Sequence, residues 1–322
     1  MENNLVEVKN LKKYYPIKSG VLQKVTGHVK AVDDVSFNIA KGKCFGLVGE
    51  SGCGKTTIGR TMMRLHDVTA GDVSVDGNDI FKMKNEALRR FRPQMQMIFQ
   101  DPYSSLSPRM PVGEIIAEAV REHNIVPNNE LRSYVLKMMD DCGLQRHHID
   151  RYPHEFSGGQ RQRICIARSL ALKPKFVVAD EPVSALDVSI QAQIINLMID
   201  LQHEYDLTYL FISHDLSVVE HISDNIGIMY LGSLVEFGPK DQVFSKPKHP
   251  YTKALFSAVP STDLDKKKDR IILQGDIPSP ANPPSGCKFH TRCPSAMPEC
   301  SHIAPVEKMI TPEHGVSCHL WK

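Results

Sequence analysis

Gly49-Glu50-Ser51-Gly52-Cys53-Gly54-Lys55-Thr56 satisfies the pattern G-x-x-x-x-G-K-[ST] without a gap. Each residue type has a physical reason to be there. Glycines let successive backbone N–H groups turn inward around phosphate oxygens, and the helix that follows points its positive end at them. Lys55 supplies a mobile charge for the β- and γ-phosphates, and the Thr56 hydroxyl is a ligand for Mg²⁺. Cys53 occupies a place where a small side chain is needed, and no redox role is assigned to it. The flanks agree. Lys43 to Val48 is a short apolar run suited to a buried parallel strand, and Thr57 to Leu65 has helical character.

Working outward, a strand ending in a carboxylate should accompany such a loop, and Phe176-Val177-Val178-Ala179-Asp180-Glu181 supplies one. Asp180 at the strand end suits Mg²⁺, directly or through water, and Glu181 one residue on is placed to polarise an attacking water. Further apolar runs at Thr208–Ile212 and Ile226–Met229 alternate with helical patterns. Ser189 to Tyr205 puts Ile190, Ile194, Leu197 and Leu201 on one face, and Leu131, Val135, Met138 and Cys142 recur at helical spacing. The alternation predicts an α/β fold with a largely parallel sheet. The first hundred residues add short β segments at Leu5–Val8 and Ala31–Ile39.

Phe156-Ser157-Gly158-Gly159-Gln160 opens another helix, with Ile164, Ala167 and Leu170 on one face. Ser157 is a good N-cap. A cap alone does not require the two glycines and the glutamine, whereas a second anion site at the exposed N–H groups does. One nucleotide in one phosphate loop has no need of two such helix ends from a single chain.

With these motifs in this order, the chain resembles the ATP-binding cassette family. Phe156 to Gln160 matches its signature sequence, with Phe156 where leucine is commoner. The resemblance implies a P-loop NTPase fold: a RecA-like parallel core, an antiparallel β part and an α-helical subdomain at about residues 101–170. It also implies that two cassettes face each other head to tail around ATP. Gly49, Ser51, Gly52, Cys53, Gly54, Lys55, Thr56 and Thr57 would then hold the nucleotide. Ser157, Gly159 and Gln160 would touch the γ-phosphate bound to the partner. Tyr15 looks like the aromatic that stacks on adenine, with Tyr14 a neighbouring competitor. Gln100 resembles the Q-loop glutamine that links the metal and the water to the membrane partner. Ser184–Asp187 resembles the D-loop, and His214, 33 residues beyond Glu181, the switch histidine at the γ-phosphate.

Three stretches, Phe99 to Arg109, Val183 to Gln193 and His249-Pro250-Tyr251-Thr252, look like the ATPases of bacterial di- and oligopeptide importers. Nickel and glutathione importers share much of that pattern. Such systems pair two different ATPases, and the insertion Ile17 to Lys30 is more like the second member of the pair. The resemblance therefore implies a second ATPase subunit, two transmembrane permeases, an extracytoplasmic peptide-binding protein reached indirectly, and a peripheral place on the cytoplasmic face of the bacterial inner membrane.

Composition fits. Lysine and arginine number 39 and aspartate and glutamate 37, so the formal charge of +2 gives no basic stripe of the kind that coats a duplex. No run approaches the roughly 18 apolar residues of a membrane span, and the N-terminus lacks the apolar middle of a secretory signal. A cassette ATPase acting on DNA would carry coiled-coil arms between loop and signature, and Thr57 to Phe156 leaves room only for a small subdomain. Ribosome-acting members usually hold two cassettes in one chain, exporters are often fused to membrane spans, and GTPases carry an N-K-x-D segment; none of these features is found.

After about residue 245 the character changes. Eight of the 21 prolines fall between Pro278 and Pro312, which predicts an accessory domain at 246–322 after a nucleotide-binding domain at 1–245. The run Lys266-Lys267-Lys268-Asp269-Arg270 reads as a solvated loop. Cys287, Cys293, Cys300 and Cys318 crowd the tail, separated by five, six and seventeen residues. That spacing is not a tight zinc knuckle, and four thiolates also suit an iron–sulfur cluster. The segments around Cys287 and Cys293 resemble the C-terminal region of peptide-importer ATPases, some of which hold [4Fe–4S]. Cluster, zinc and four reduced thiols remain the alternatives, with His290, His302, His314 and His319 near enough in sequence to act as ligands.

Overall fold

In the computed structural model, residues 4–21, 23–258 and 270–321 are described. They form two compact units, one holding the described residues of 4–6, 39–44 and 74–212, the other those of 7–38, 45–73 and 213–321. Of the run at 266–270 only Arg270 lies within the described residues.

The first unit is built on three parallel strands, Met95–Ile98, Phe176–Asp180 and Thr208–Ile212, in register at Met95↔Phe176 and Phe176↔Thr208. Every residue of the second and third is buried. That is why their sequences are continuous apolar runs rather than alternations. Thr208 is fixed from the edge: its Oγ1 accepts from Gly42 N at 2.9 Å while Gln202 Nε2 donates to Gly42 C=O at 3.0 Å. The helices Val112–Glu122, Leu131–Asp141 and Gly158–Leu170 pack on one another, and the single turn Pro102–Ser105 packs on the last of them.

The long helix Val188–Tyr205 departs from its expected phase. Its buried face is Ile194, Ile195, Met198, Leu201 and Gln202, while Ile190 and Leu197 are only half-buried. A stripe at i, i+1, i+4, i+7 and i+8 is as good a helical face as the one expected, and packing selected the wider of the two.

In the second unit residues 45–48 of the apolar strand Cys44–Val48 run parallel to Asn225–Tyr230, with Phe45 opposite Asn225 and Val48 opposite Ile228. Ser233–Pro239 then turns back antiparallel, with a bulge between Leu234 and Glu236. Onto it the tail adds His314–Val316 and Lys308–Thr311, so its last regular elements extend this same sheet. The insertion at Ile17–Lys30 is mostly strand. Asn4–Ser19 and Lys24–Ala40 are neighbours in a separate sheet, and Gln23 N donates to Gly20 C=O at 3.1 Å where the chain turns between them. The insertion therefore lengthens a strand pair. Among the described residues no helix is long and apolar enough to cross a membrane.

Candidate functional site

The phosphate loop leaves the buried strand Cys44–Val48 and enters the helix Lys55–Met62 directly. Gly54, the N-cap, has φ +106, and a Cβ there would lie 2.0 Å from the Ala31 carbonyl oxygen. Only glycine meets both demands. At Gly49 a Cβ would come within 2.3 Å of the Met229 carbonyl oxygen. No side chain caps the helix, an N-terminus of the kind that suits an anion. Lys55 is buried, and its Nζ donates to the carbonyls of Gly49 at 2.7 Å and Glu50 at 3.1 Å. Its charge is thereby held within the loop itself. Cys53 is buried with its thiol pushed up by desolvation, as an inert small residue would be. Thr56 and Thr57 occupy the first helical turn, half-buried.

Also in this unit, Tyr14 and Tyr15 part company. Tyr14 donates its hydroxyl to Asp33, while Tyr15 keeps a half-buried ring, edge-on to His66 with centroids 5.9 Å apart. Tyr14 is thus committed to a polar network, while the Tyr15 ring has Lys13 Nζ 4.7 Å from its centroid. His214 is exposed between Ser213, whose N–H reaches Leu47 C=O at 3.2 Å, and Asp215, which caps the helix Leu216–Ile222. Its backbone is held from both sides.

The first unit carries the carboxylates. Asp180 is fully buried at the strand end. Glu181 follows at φ +48, a conformation disfavoured for a side-chain-bearing residue, and its N–H donates to Ile212 C=O at 2.9 Å. Its carboxylate accepts from Gln100 Nε2 at 3.0 Å, which brings together two residues 81 apart in sequence.

Ser157 and Gln160 form a capping box at the head of Gly158–Leu170: Ser157 Oγ accepts from Gln160 N at 3.3 Å, and Gln160 Oε1 accepts from Ser157 N at 3.1 Å. The glycines also have an intrachain reason that the sequence did not reveal. A Cβ on Gly159 would approach Ile190 Cγ2 to 2.5 Å, and one on Gly158 would approach Leu186 Cδ2 to 3.3 Å. Close packing against 186–190 therefore requires glycine at 159 whatever else the segment does. Asp187, exposed, is the N-cap of Val188–Tyr205 without using its side chain for the cap.

The tail differs from expectation. Cys287 and Cys300 are buried and joined by a Cys287 N–H to Cys300 C=O bond of 2.8 Å; Cys293 and Cys318 are half-buried, and all four are free. Burial, then the nearby thiols of Cys300, Cys318 and Cys293, push the Cys287 thiol up to about 11. Yet among the described residues no three His, Cys, Asp or Glu side chains converge as a metal site. Nor do the histidines compensate. His314 Nε2 meets Glu236 at 2.8 Å, His319 Nε2 meets Ile303 C=O at 2.8 Å and His290 Nδ1 meets Cys287 C=O at 2.8 Å. Neither the cluster nor the zinc expectation is matched by this arrangement of the described residues.

Known proteins agree with the cassette geometry. Residues 32–184 match the ABC transporter family, and residues 235–300 match the oligopeptide/dipeptide transporter C-terminal region. The oligopeptide transport ATP-binding protein AppF of Bacillus subtilis (strain 168) is 53% identical over 323 residues, covering 99% of this chain and 98% of that protein. The chain belongs to the ABC transporter ATP-binding family. A putative peptide import ATP-binding protein of Brucella ovis is 51% identical across 98% of both chains. Among solved structures, the dimeric cassette MJ0796 in a post-hydrolysis state with ADP and Pi matches with TM-score 0.65 and 26% identity, over 73% of this chain and 98% of that one. The cassette cbiO1 of Clostridium perfringens shares the fold at TM-score 0.65, 24% identity and coverages of 76% and 92%. This cassette is accordingly an ATPase of the P-loop NTPase class.

Proposed function

We propose that this cassette hydrolyses ATP to power import of di- and oligopeptides through a membrane transporter. The observation that carries the reading is its end-to-end similarity to an oligopeptide ATP-binding protein, tail included. In this reading Gly49, Ser51, Gly52, Cys53, Gly54, Lys55, Thr56 and Thr57 bind the phosphates, and Tyr15 stacks on adenine. Thr56, Asp180 and Gln100 are the residues for Mg²⁺, which supplies charge neutralisation on the phosphates. Asp180 suits that task as a buried carboxylate at a strand end. Glu181, aimed by its backbone and by Gln100, orients and deprotonates water, while Lys55 and His214 stabilise charge on the γ-phosphate. Ser157, Gly159, Gln160 and Asp187 act across a pair of cassettes.

The finer assignments belong to the same proposal. They are a nucleotide-binding domain at 1–245 followed by an accessory domain at 246–322, a different ATPase as partner, two transmembrane permeases, an indirectly engaged extracytoplasmic peptide-binding protein and a peripheral site on the cytoplasmic face of the inner membrane. Deleting the gene is expected to abolish uptake of di- and oligopeptides while leaving nickel and glutathione uptake intact; the opposite pattern would move the assignment to another solute. Affinity purification is expected to recover two polytopic membrane proteins, and recovery of nucleic acid would overturn the transporter reading.

For the tail, a [4Fe–4S] or zinc centre is supported by residue type and shared neighbourhood alone, because the four thiols do not close on one point. Anoxic purification followed by iron, sulfide and zinc analysis tests the centre: stoichiometric iron and sulfide are expected for [4Fe–4S], one zinc per chain would decide for the competing ion, and a metal-free protein would leave four reduced thiols.

A further inference from the structure

A glutamate inside a phosphate-binding loop is an electrostatic oddity, since its charge opposes the anion the loop is built to attract. In this chain Glu50 is answered from the tail. Arg292 Nη1 and Nη2 donate to its two carboxylate oxygens at 2.9 and 3.2 Å. The arginine side chain is 8% exposed and the carboxylate 25%, so the pair is bidentate and largely shielded from water. The remaining polar groups of Glu50 are held as well. Its N–H donates to the Tyr251 hydroxyl at 3.1 Å, and its C=O accepts from Lys55 Nζ at 3.1 Å and from Cys53 N at 3.2 Å.

Arg292 is itself braced. Its guanidinium lies 5.9 Å from the centroid of the Tyr230 ring, and Tyr230, Tyr251 and Phe289 pack as a buried aromatic trio. Four residues earlier, Lys288 anchors the same segment. Its Nζ donates to Asp33 at 2.9 Å, to Leu231 C=O at 3.0 Å and to Ser233 Oγ at 2.7 Å. Asp33 is also the acceptor for Tyr14, next to Tyr15. The segment 288–292 therefore bonds both to Asp33, the acceptor for the Tyr14 hydroxyl, and to the phosphate loop.

We propose that Arg292 is a positioning residue of the nucleotide site: by pairing with Glu50 it neutralises the one acidic side chain of the phosphate loop and fixes that loop's entry. The proline- and cysteine-rich tail thereby becomes a working part of ATP binding. This rests on the ATPase reading above, and the experiment separates the two. ATP affinity is measured by titration on the full-length chain without Mg²⁺, and KM and kcat are measured in the assembled transporter. Arg292→Ala is expected to raise Kd and KM about tenfold, since an unpaired Glu50 then repels the triphosphate, with kcat changed less than about twofold. Adding Glu50→Gln to Arg292→Ala is expected to bring Kd back to within about threefold of the parent, a rescue that a merely structural arginine would not produce. Arg292→Lys, which keeps the charge without the fork, is expected to fall between and covers the case in which the alanine variant does not fold. Unchanged Kd in folded Arg292→Ala or Arg292→Lys, or no rescue by Glu50→Gln, overturns the proposal. A parent chain with no ATP affinity overturns the ATPase reading instead.

Discussion

Replacing Glu181 by glutamine is expected to lower ATP turnover by about a hundred- to a thousandfold while leaving ATP affinity within about twofold, because a positioned general base contributes on that order and takes little part in ground-state binding. The structure makes the substitution unusually clean. Glu181 is held at φ +48 by its N–H bond to Ile212 C=O, and Ser184 bonds back to its carbonyl, so the backbone conformation does not depend on the carboxylate. The new amide retains an oxygen able to accept from Gln100 Nε2, which now bonds at 3.0 Å. What disappears is the capacity to take a proton. If ATP binding draws two cassettes together and hydrolysis releases them, the variant should collect as an ATP-bound pair, visible by size-exclusion chromatography and by ATP retained per chain. Phosphate release at the parent rate would remove Glu181 from the base role.

Why this residue was legible at all is instructive. Backbone requirements that only one residue type meets leave a mark in sequence. Gly54 must tolerate φ +106 with the Ala31 carbonyl 2.0 Å from where a Cβ would sit, so the loop is written in glycines. A strand buried on both faces must be continuously apolar, so Phe176–Asp180 stands out, and a carboxylate at its end stands out further. Contacts between distant segments leave no such mark. Arg292 and Glu50 are 242 residues apart, and Lys288 and Asp33 are 255 apart. An acid within a phosphate loop was the available hint, because its charge calls for a cation. The phase of Val188–Tyr205 was hidden for a related reason: the helix has apolar residues on more than one face, and tertiary packing chose Ile195 and Met198 over Ile190. The unchosen Ile190 accounts for Gly159. Four cysteines in a short tail make a metal centre a candidate by residue type, and the directions of their side chains leave no mark in the sequence.

The second large effect tests the signature segment. Ser157→Arg is expected to reduce hydrolysis in the opposing cassette by about a hundredfold or more while leaving the nucleotide affinity of its own chain nearly unchanged. Ser157 lies exposed at the head of Gly158–Leu170, and its capping box with Gln160 contributes on the order of 1 kcal/mol to that helix. A cost of that size lowers the melting temperature of the variant by a few degrees without unfolding it. Bulk is not the cause of such a loss within the chain, because the side chain points into no packed core, whereas Phe156 beside it is buried against His148. In the proposed pairing of cassettes, a guanidinium at this position would instead obstruct the approach of a partner's γ-phosphate to the head of that helix. The measurement uses mixed pairs in which only one cassette carries the change, with Glu181→Gln placed in either subunit to silence one site at a time. Inhibition that follows the opposing site requires nucleotide shared between two chains. Inhibition confined to the altered chain's own site would mean that Ser157 serves the nucleotide bound by its own phosphate loop.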